Sequence, residues 1–177
     1  MTRAVFLDRD GVLNEAVVRN GRPYPPAGLE ELVIVADAGA ALGLLQGAGY
    51  RLVVATNQPD IARGTTPRER VTELNRYLQD RLPLDAVEVC EHDDADQCAC
   101  RKPAPGLLTR AAARDGIDLA ASFMVGDRWR DIEAGRRAGC RTVLIGDGYG
   151  EAFKSLPDTA VRSLTDAAAW ILAQERK

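Results

Sequence analysis

Ala4-Val5-Phe6-Leu7-Asp8-Arg9-Asp10-Gly11 runs four apolar residues straight into two acids and a glycine. The apolar run reads as a short strand buried on both faces, and the acids mark where the chain leaves the core. Residues i and i+2 of an extended segment point the same way, so Asp8 and Asp10 should face one cavity. Two carboxylates in a small space repel unless one is protonated or a cation joins them. Mg²⁺ meets that demand, because it prefers oxygen ligands and keeps waters that a phosphate can join. Gly11 lets the backbone turn or come close to a ligand. Alone, an Asp-x-Asp-Gly segment is equally well a solvated acidic loop. Its meaning depends on the rest of the chain.

Beyond Gly11 the chain alternates repeatedly between strand and helix. Residues 37–49 are rich in Ala and Leu and stop on glycine, as a helix does. Residues 51–55 are a second buried strand. Residues 67–82 place Val71, Leu74 and Leu78 on one face, with Pro67 at the first turn. Residues 86–90, 122–126 and 141–145 read as strands; residues 106–115, 129–138 and 166–176 read as helices. Continuous apolar strands between helices predict an α/β fold, a Rossmann-like three-layer sandwich with a central parallel sheet. Ligands bind such a sheet beyond the carboxyl ends of its strands. Asp8, Thr56, Cys90 and Asp127 all fall at such ends.

Thr56-Asn57-Gln58 after the second strand offers a hydroxyl and amides to a phosphate, although Thr and Asn also serve as plain turn residues. Lys102, ahead of the helix at 106, could neutralise phosphate charge and keep a neighbouring aspartate ionised. A lone lysine is otherwise a surface residue. Gly126-Asp127 closes another strand, with Asp131 four residues on. Asp127 is placed to complete a magnesium site and Asp131 to orient its neighbours, unless Asp127 only caps the helix.

In order and spacing, Asp8/Asp10, Thr56, Lys102 and Asp127/Asp131 resemble the haloacid dehalogenase-like (HAD) hydrolase superfamily, and the resemblance spans nearly the whole chain. It implies a phosphatase in which Asp8 attacks phosphorus to form an aspartyl-phosphate and Asp10 acts as general acid and then base. It further implies Mg²⁺ at Asp8, Asp10 and Asp127, with Asp131 behind them, and Thr56 and Lys102 stabilising the transferring group. An Asp at position 10 is the phosphatase form of the motif. No large cap domain is visible between Asp10 and Thr56 or between Thr56 and Lys102, so residues 14–26 and the cysteine loop must frame the pocket.

Cys90-Glu91-His92 is followed by Cys98-Ala99-Cys100, and His92 is the one histidine of the chain. Three Cys and a His in eleven residues match a closed Cys₃His zinc site, which is structural because no ligand position stays open. Free thiols or a redox pair are the alternative. Zinc would order the polar residues between and pin Arg101 and Lys102 over the phosphate site. Cys140 reads as a core thiol.

The cluster and the Arg101-Lys102-Pro103 beyond it look like the D-glycero-D-manno-heptose 1,7-bisphosphate phosphatases, and like the histidinol-phosphate phosphatases. Ile61-Ala62-Arg63-Gly64 after Asn57-Gln58 favours the heptose group. The short spacing from His92 to Cys98 and Gly126-Asp127-Arg128 are also usual in the histidinol-phosphate group. Pro59-Asp60 departs from the heptose pattern. Arg63, Arg101, Arg128 and Lys102 would suit a bisphosphate, since the planar fork of Arg matches phosphate. An amine substrate would want acids, for which Asp60, Asp93 and Asp94 are candidates. The balance favours the heptose bisphosphate, with loss of its 7-phosphate.

The remaining properties narrow the classes. The chain has 177 residues, enough for one domain spanning 1–177 with a zinc loop at about 90–102. It is 46% hydrophobic and 5% aromatic, so the core rests on Val, Leu, Ile and Ala. A net charge of −3 without a basic block argues against a nucleic-acid partner, and so against a DNA 3′-phosphatase. A non-catalytic zinc-stabilised module is disfavoured by the intact Asp8, Asp10, Lys102 and Asp127. With no signal-peptide pattern and no apolar run near ~18 residues, a cytoplasmic protein acting on a small phosphorylated metabolite is expected, with a monomer as the default state.

Overall fold

The computed structural model describes residues 2–174, so the last residues of the helix expected at 166–176 lie outside it. In chain order the elements are β1 (Ala4–Leu7), β2 (Val17–Arg19), β3 (Arg22–Tyr24), α1 (Ala38–Gly47), β4 (Arg51–Asn57), α2 (Arg68–Gln79), β5 (Ala86–Cys90), α3 (Gly106–Asp115), β6 (Phe123–Gly126), α4 (Trp129–Ala138), β7 (Arg141–Ile145), β8 (Thr159–Val161) and α5 (Leu164–Ala173). Six strands form one parallel sheet in the order β5-β4-β1-β6-β7-β8. The chain winds outward from β1 through β4 to β5, then crosses back to lay β6, β7 and β8 on the other side. The order therefore reverses at β1, and a crevice opens beyond the carboxyl ends of β1, β4 and β6.

All four β1 residues are fully buried because both sheet faces are covered. Val5 and Leu7 pack with Leu42 and Leu45 of α1, Leu74 and Leu78 of α2, and Ile171 of α5. Ala4 and Phe6 point the other way, into Leu107, Leu108 and Ala111 of α3 and Met124 of β6. Burying Val5, Phe6 and Leu7 contributes roughly 1.5–3 kcal/mol each, which explains why a four-residue strand can anchor the sheet.

The differences from expectation are local. The second strand runs two residues further, to Asn57, so Thr56 and Asn57 belong to β4 and pair with Val89 and Cys90. α5 starts at Leu164 rather than 166, because the Ser163 side chain accepts the Asp166 N–H at 3.1 Å and fixes the start. The stretch 14–26 is not a plain loop: β2 and β3 form an antiparallel hairpin turned by Asn20-Gly21, both at positive φ. β8, a three-residue strand added at the sheet edge, carried no clear periodic signal. Among the described residues no helix is long and apolar enough to cross a membrane.

Candidate active site

Asp8 leaves β1 at the crevice, its N–H bonded to Val125 O at 2.9 Å. The carboxylate accepts the Lys102 Nζ proton at 2.8 Å and the Arg9 N–H at 2.9 Å. Lys102 is almost fully buried, and its ammonium also donates to Asp131 Oδ1 at 2.6 Å and Ala55 O at 2.6 Å. Its three protons thus meet three oxygens. Asn57 holds the lysine from behind: its amide donates to Lys102 O and accepts from Lys102 N, each at 3.0 Å.

Asp8, Asp127 and Asp131 bring one carboxylate oxygen each within 4.8 Å of one another. Two glycines permit this. A Cβ on Gly11, whose φ is +85°, would stand 1.9 Å from Asp127 Oδ2, and one on Gly126 would stand 2.1 Å from Asp131 Cβ. Asp131 is engaged at both oxygens, by Lys102 and by the Arg128 N–H at 3.0 Å. Asp127 Oδ2 accepts from the Tyr149 hydroxyl at 2.8 Å, while its Oδ1 is buried with no partner. Burial, with the Asp131 charge added, pushes Asp8 up to about 7 despite Lys102. Burial and the Asp8 charge push Asp127 up to about 8. Burial opposes the Lys102 charge, but Asp131 and Asp8 outweigh it and hold the amine protonated. Three carboxylates facing one ammonium, with a buried oxygen left over, are a donor set for a hard divalent cation.

Asp10 is not one of that cluster. Its carboxylate is gripped by the Arg9 fork at 3.2 and 3.1 Å, by Asn14 Nδ2 at 3.0 Å and by Gln58 Nε2 at 3.0 Å. Arg9 is fully buried and tied at its other end to Asn75 Oδ1 at 3.0 Å. Gln58 also bonds Thr56 Oγ1 at 3.0 Å. Thr56 and Gln58 are buried behind the crevice rather than on its wall, and Asn57 spends its amide on Lys102. The trio expected to touch phosphate therefore supports Asp10 and Lys102 in this structure. Arg9 and Asn14 were missed by sequence reasoning, because a buried arginine cannot be told from an exposed one by its spacing.

The crevice opens into a cleft of about 840 Å³, whose wall includes Asp8, Asp10, Lys102, Arg63, Arg101 and Arg128. Each arginine expected there already holds a carboxylate. Arg63 forms a fork on Asp93 at 2.7 and 2.7 Å and reaches Asp60 at 3.3 Å. Arg101 donates to Asp94 at 2.7 Å, and Arg128 to Glu151, through Nε at 3.2 Å. Arg130, unforeseen, bonds Asp94 at 3.1 Å and Lys102 O at 3.4 Å. The Arg63 fork holds Asp93 down to about 2, and Arg101 lowers Asp94 as well, so these acids stay ionised. Asp60, Asp93 and Asp94 are thus already engaged by arginine rather than free for an amine. Tyr149 and Glu151 were also missed. The available signal was Gly146-Asp147-Gly148-Tyr149-Gly150, a polar glycine-rich run just past β7.

Cys90, His92, Cys98 and Cys100 converge, with their ligand atoms all within 4.8 Å. The sulfurs lie 3.1, 3.4 and 3.7 Å apart, and His92 Nδ1 is 3.3 Å from Cys100 Sγ. Four ligands at about 2.3 Å around a tetrahedral ion would set sulfurs about 3.8 Å apart, so the cluster is near that spacing. Its loop is tied to the rest of the cleft by the Arg63–Asp93 and Arg130–Asp94 pairs.

The chain resembles known proteins along almost its whole length. The HAD-hydrolase-like family model matches residues 99–167. The D-glycero-D-manno-heptose-1,7-bisphosphate 7-phosphatase of Thermosynechococcus vestitus is 35% identical, over 95% of this chain and 94% of its own. The D-glycero-beta-D-manno-heptose-1,7-bisphosphate 7-phosphatase of Vibrio cholerae is 34% identical over 96% of each. Among solved structures, the D,D-heptose 1,7-bisphosphate phosphatase of B. bronchiseptica, complexed with magnesium and phosphate, superimposes with a TM-score of 0.83 at 31% identity, over 98% of this chain and 99% of that one. The chain belongs to the D-glycero-D-manno-heptose-1,7-bisphosphate 7-phosphatase family of HAD-like hydrolases.

Proposed function

We propose that this protein is a magnesium-dependent phosphomonoesterase that removes the 7-phosphate of D-glycero-D-manno-heptose 1,7-bisphosphate. The observation that carries this reading is the division of labour between two aspartates at one strand end. Asp8 sits on Lys102 beside Asp127, while Asp10 lines the same cleft outside that cluster, gripped by Arg9, Asn14 and Gln58. One carboxylate is thereby free to bond phosphorus and the other to move a proton.

In the first step an Asp8 oxygen forms a bond to phosphorus as the bond to the sugar oxygen breaks, and Asp10 donates its proton to that oxygen. In the second, Asp10 takes a proton from water as it attacks phosphorus, and phosphate leaves with Asp8 restored. Lys102 stays protonated through both steps and offsets charge on Asp8. Asp8 and Asp127 would hold Mg²⁺, and the unpartnered Asp127 Oδ1 fits that role. Asp131, bonded at both oxygens, is better read as support, and the main chain or waters near Asp10 would complete the set. Bound there, Mg²⁺ supplies positive charge that offsets the phosphoryl oxygens.

The Cys₃His cluster is read as a structural zinc site that sets the loop carrying Arg101 and Lys102. Action in the cytoplasm, as a monomer by default, is part of the same reading. The histidinol-phosphate alternative loses support because Asp60, Asp93 and Asp94 are all held by arginine. Phosphate release with Mg²⁺ from the heptose bisphosphate, histidinol phosphate and common hexose phosphates tests the assignment. A clear preference for the heptose bisphosphate is expected; preference for histidinol phosphate would reverse it.

A further inference from the structure

A bisphosphate presents a second dianion that is not cleaved, and something in the cleft must meet it. Arg63, Arg101, Arg128 and Arg130 could do so only by giving up carboxylates they already hold. Arg22 differs. It stands on β3 of the hairpin, lines the same cleft as Asp8 and is exposed, and its side chain makes no ion pair or hydrogen bond among the described residues.

Its backbone is nonetheless well fixed. The hairpin turn Asn20-Gly21 takes the positive φ values that match the twist of its strands, and Pro23 and Pro25 stiffen the returning arm. Arg19, paired across from Arg22 in register, is tied down to Glu31 at 3.3 Å. Asn20 at the turn and Arg22 and Tyr24 on β3 line the cleft, as do Gly21, Pro23 and Pro25 between and beside them. The hairpin thus presents a cation, an amide and a phenol together. An uncompensated guanidinium with a planar fork is suited to a phosphate dianion.

We propose that Arg22, supported by the β2–β3 hairpin, binds the phosphate that is not cleaved and so selects bisphosphates over monophosphates. This rests on the bisphosphatase reading above. The arrangement also separates the two anions: the reacting phosphate goes to Asp8 and Lys102 at the sheet edge, the spectator to the hairpin. Arg22 is a specificity residue and takes no part in proton or phosphoryl transfer.

The test compares wild type with Arg22→Ala and Arg22→Lys on heptose 1,7-bisphosphate and heptose 7-phosphate, with heptose 1-phosphate as a product inhibitor. A charge-assisted contact at an exposed site is worth roughly tenfold. Arg22→Ala should lower kcat/KM on the bisphosphate by about that factor through KM, weaken inhibition by heptose 1-phosphate similarly, and leave heptose 7-phosphate within about twofold. Arg22→Lys should recover part of the loss. An equal fall on both esters, or no fall on the bisphosphate, would overturn the proposal. Wild type with no preference for the bisphosphate would overturn the bisphosphatase reading and this proposal with it; a wild-type preference untouched by Arg22→Ala would overturn this proposal alone.

Discussion

Removing magnesium should make the protein progressively less stable as pH rises from about 5 to about 8, and adding it should restore what is lost. Asp8 is pushed up to about 7 and Asp127 up to about 8, against an ordinary value of 3.8. Between the ordinary and raised values the folded protein binds more protons than the unfolded chain, so stability must fall with rising pH and level off above about 8. For Asp8 alone the raised value corresponds to something on the order of 4 kcal/mol at alkaline pH. Asp8 and Asp127 share one cluster and lose their protons as a pair, so their contributions do not simply add. Even half of that figure moves Tm by roughly 4–8 °C in a domain of this size. Lys102 stays charged throughout and adds no slope. Mg²⁺ binds the ionised cluster, so the gain in Tm on adding it should be small near pH 5.5 and largest near about pH 8.5. Calorimetry on protein dialysed free of magnesium, with and without added Mg²⁺, reads this directly. A strong chelator should be avoided because it would also compete for the zinc proposed at the cysteine cluster. Asp127→Asn should abolish most of the pH-dependent gain. A gain equal at both pH values, or larger at the acid end, would refute the reasoning.

Lys102→Gln leaves Asp8 and Asp131 buried without their cation, and breaking such a pair costs about 3–5 kcal/mol; a large fall in Tm and at least a hundredfold loss of kcat should both be measured. Gly11→Ala forces a methyl group to 1.9 Å from Asp127 Oδ2 at a φ of +85°. Magnesium affinity, from the concentration dependence of Tm, should weaken at least tenfold, and an unchanged affinity would count against the packing argument. Elemental analysis should find one zinc per chain. Cys98→Ser should lower that content, expose residues of the 90–102 loop to limited proteolysis and reduce kcat/KM, since the loop carries Arg101 and Lys102.

Much of the framework was legible because the physics that shapes it is local. Ala4–Leu7 read as a strand buried on both sides and is one, and 141–145 follows it with its three central residues buried; 86–90, at the sheet edge, is only partly buried. Asp8 and Asp127 were findable because the carboxyl end of a parallel strand is a fixed place in space, and Lys102 from its place ahead of the helix at 106 in the family pattern. The supports of the site were not findable in that way. Arg9 grips Asp10 from a fully buried position and is held by Asn75, sixty-six residues away, a contact set by how α2 packs. The pairing of Arg63, Arg101 and Arg130 with Asp93 and Asp94 likewise depends on where the cysteine loop lands. The hairpin was the more avoidable omission: Asn20-Gly21 between Val17-Val18 and Arg22-Pro23-Tyr24 is a strong turn signal, obscured by the prolines beside it.

The account stands on Asp8 as the atom donor to phosphorus. The most direct measurement is to mix enzyme, Mg²⁺ and the heptose bisphosphate, quench in acid, reduce with borohydride and map the peptides by mass spectrometry. Reduction of an aspartyl-phosphate leaves homoserine at the modified position. We predict homoserine at Asp8 and nowhere else, and none at that position in Asp8→Asn. Turnover with no modified Asp8 under these conditions, or modification at another carboxylate, would contradict it.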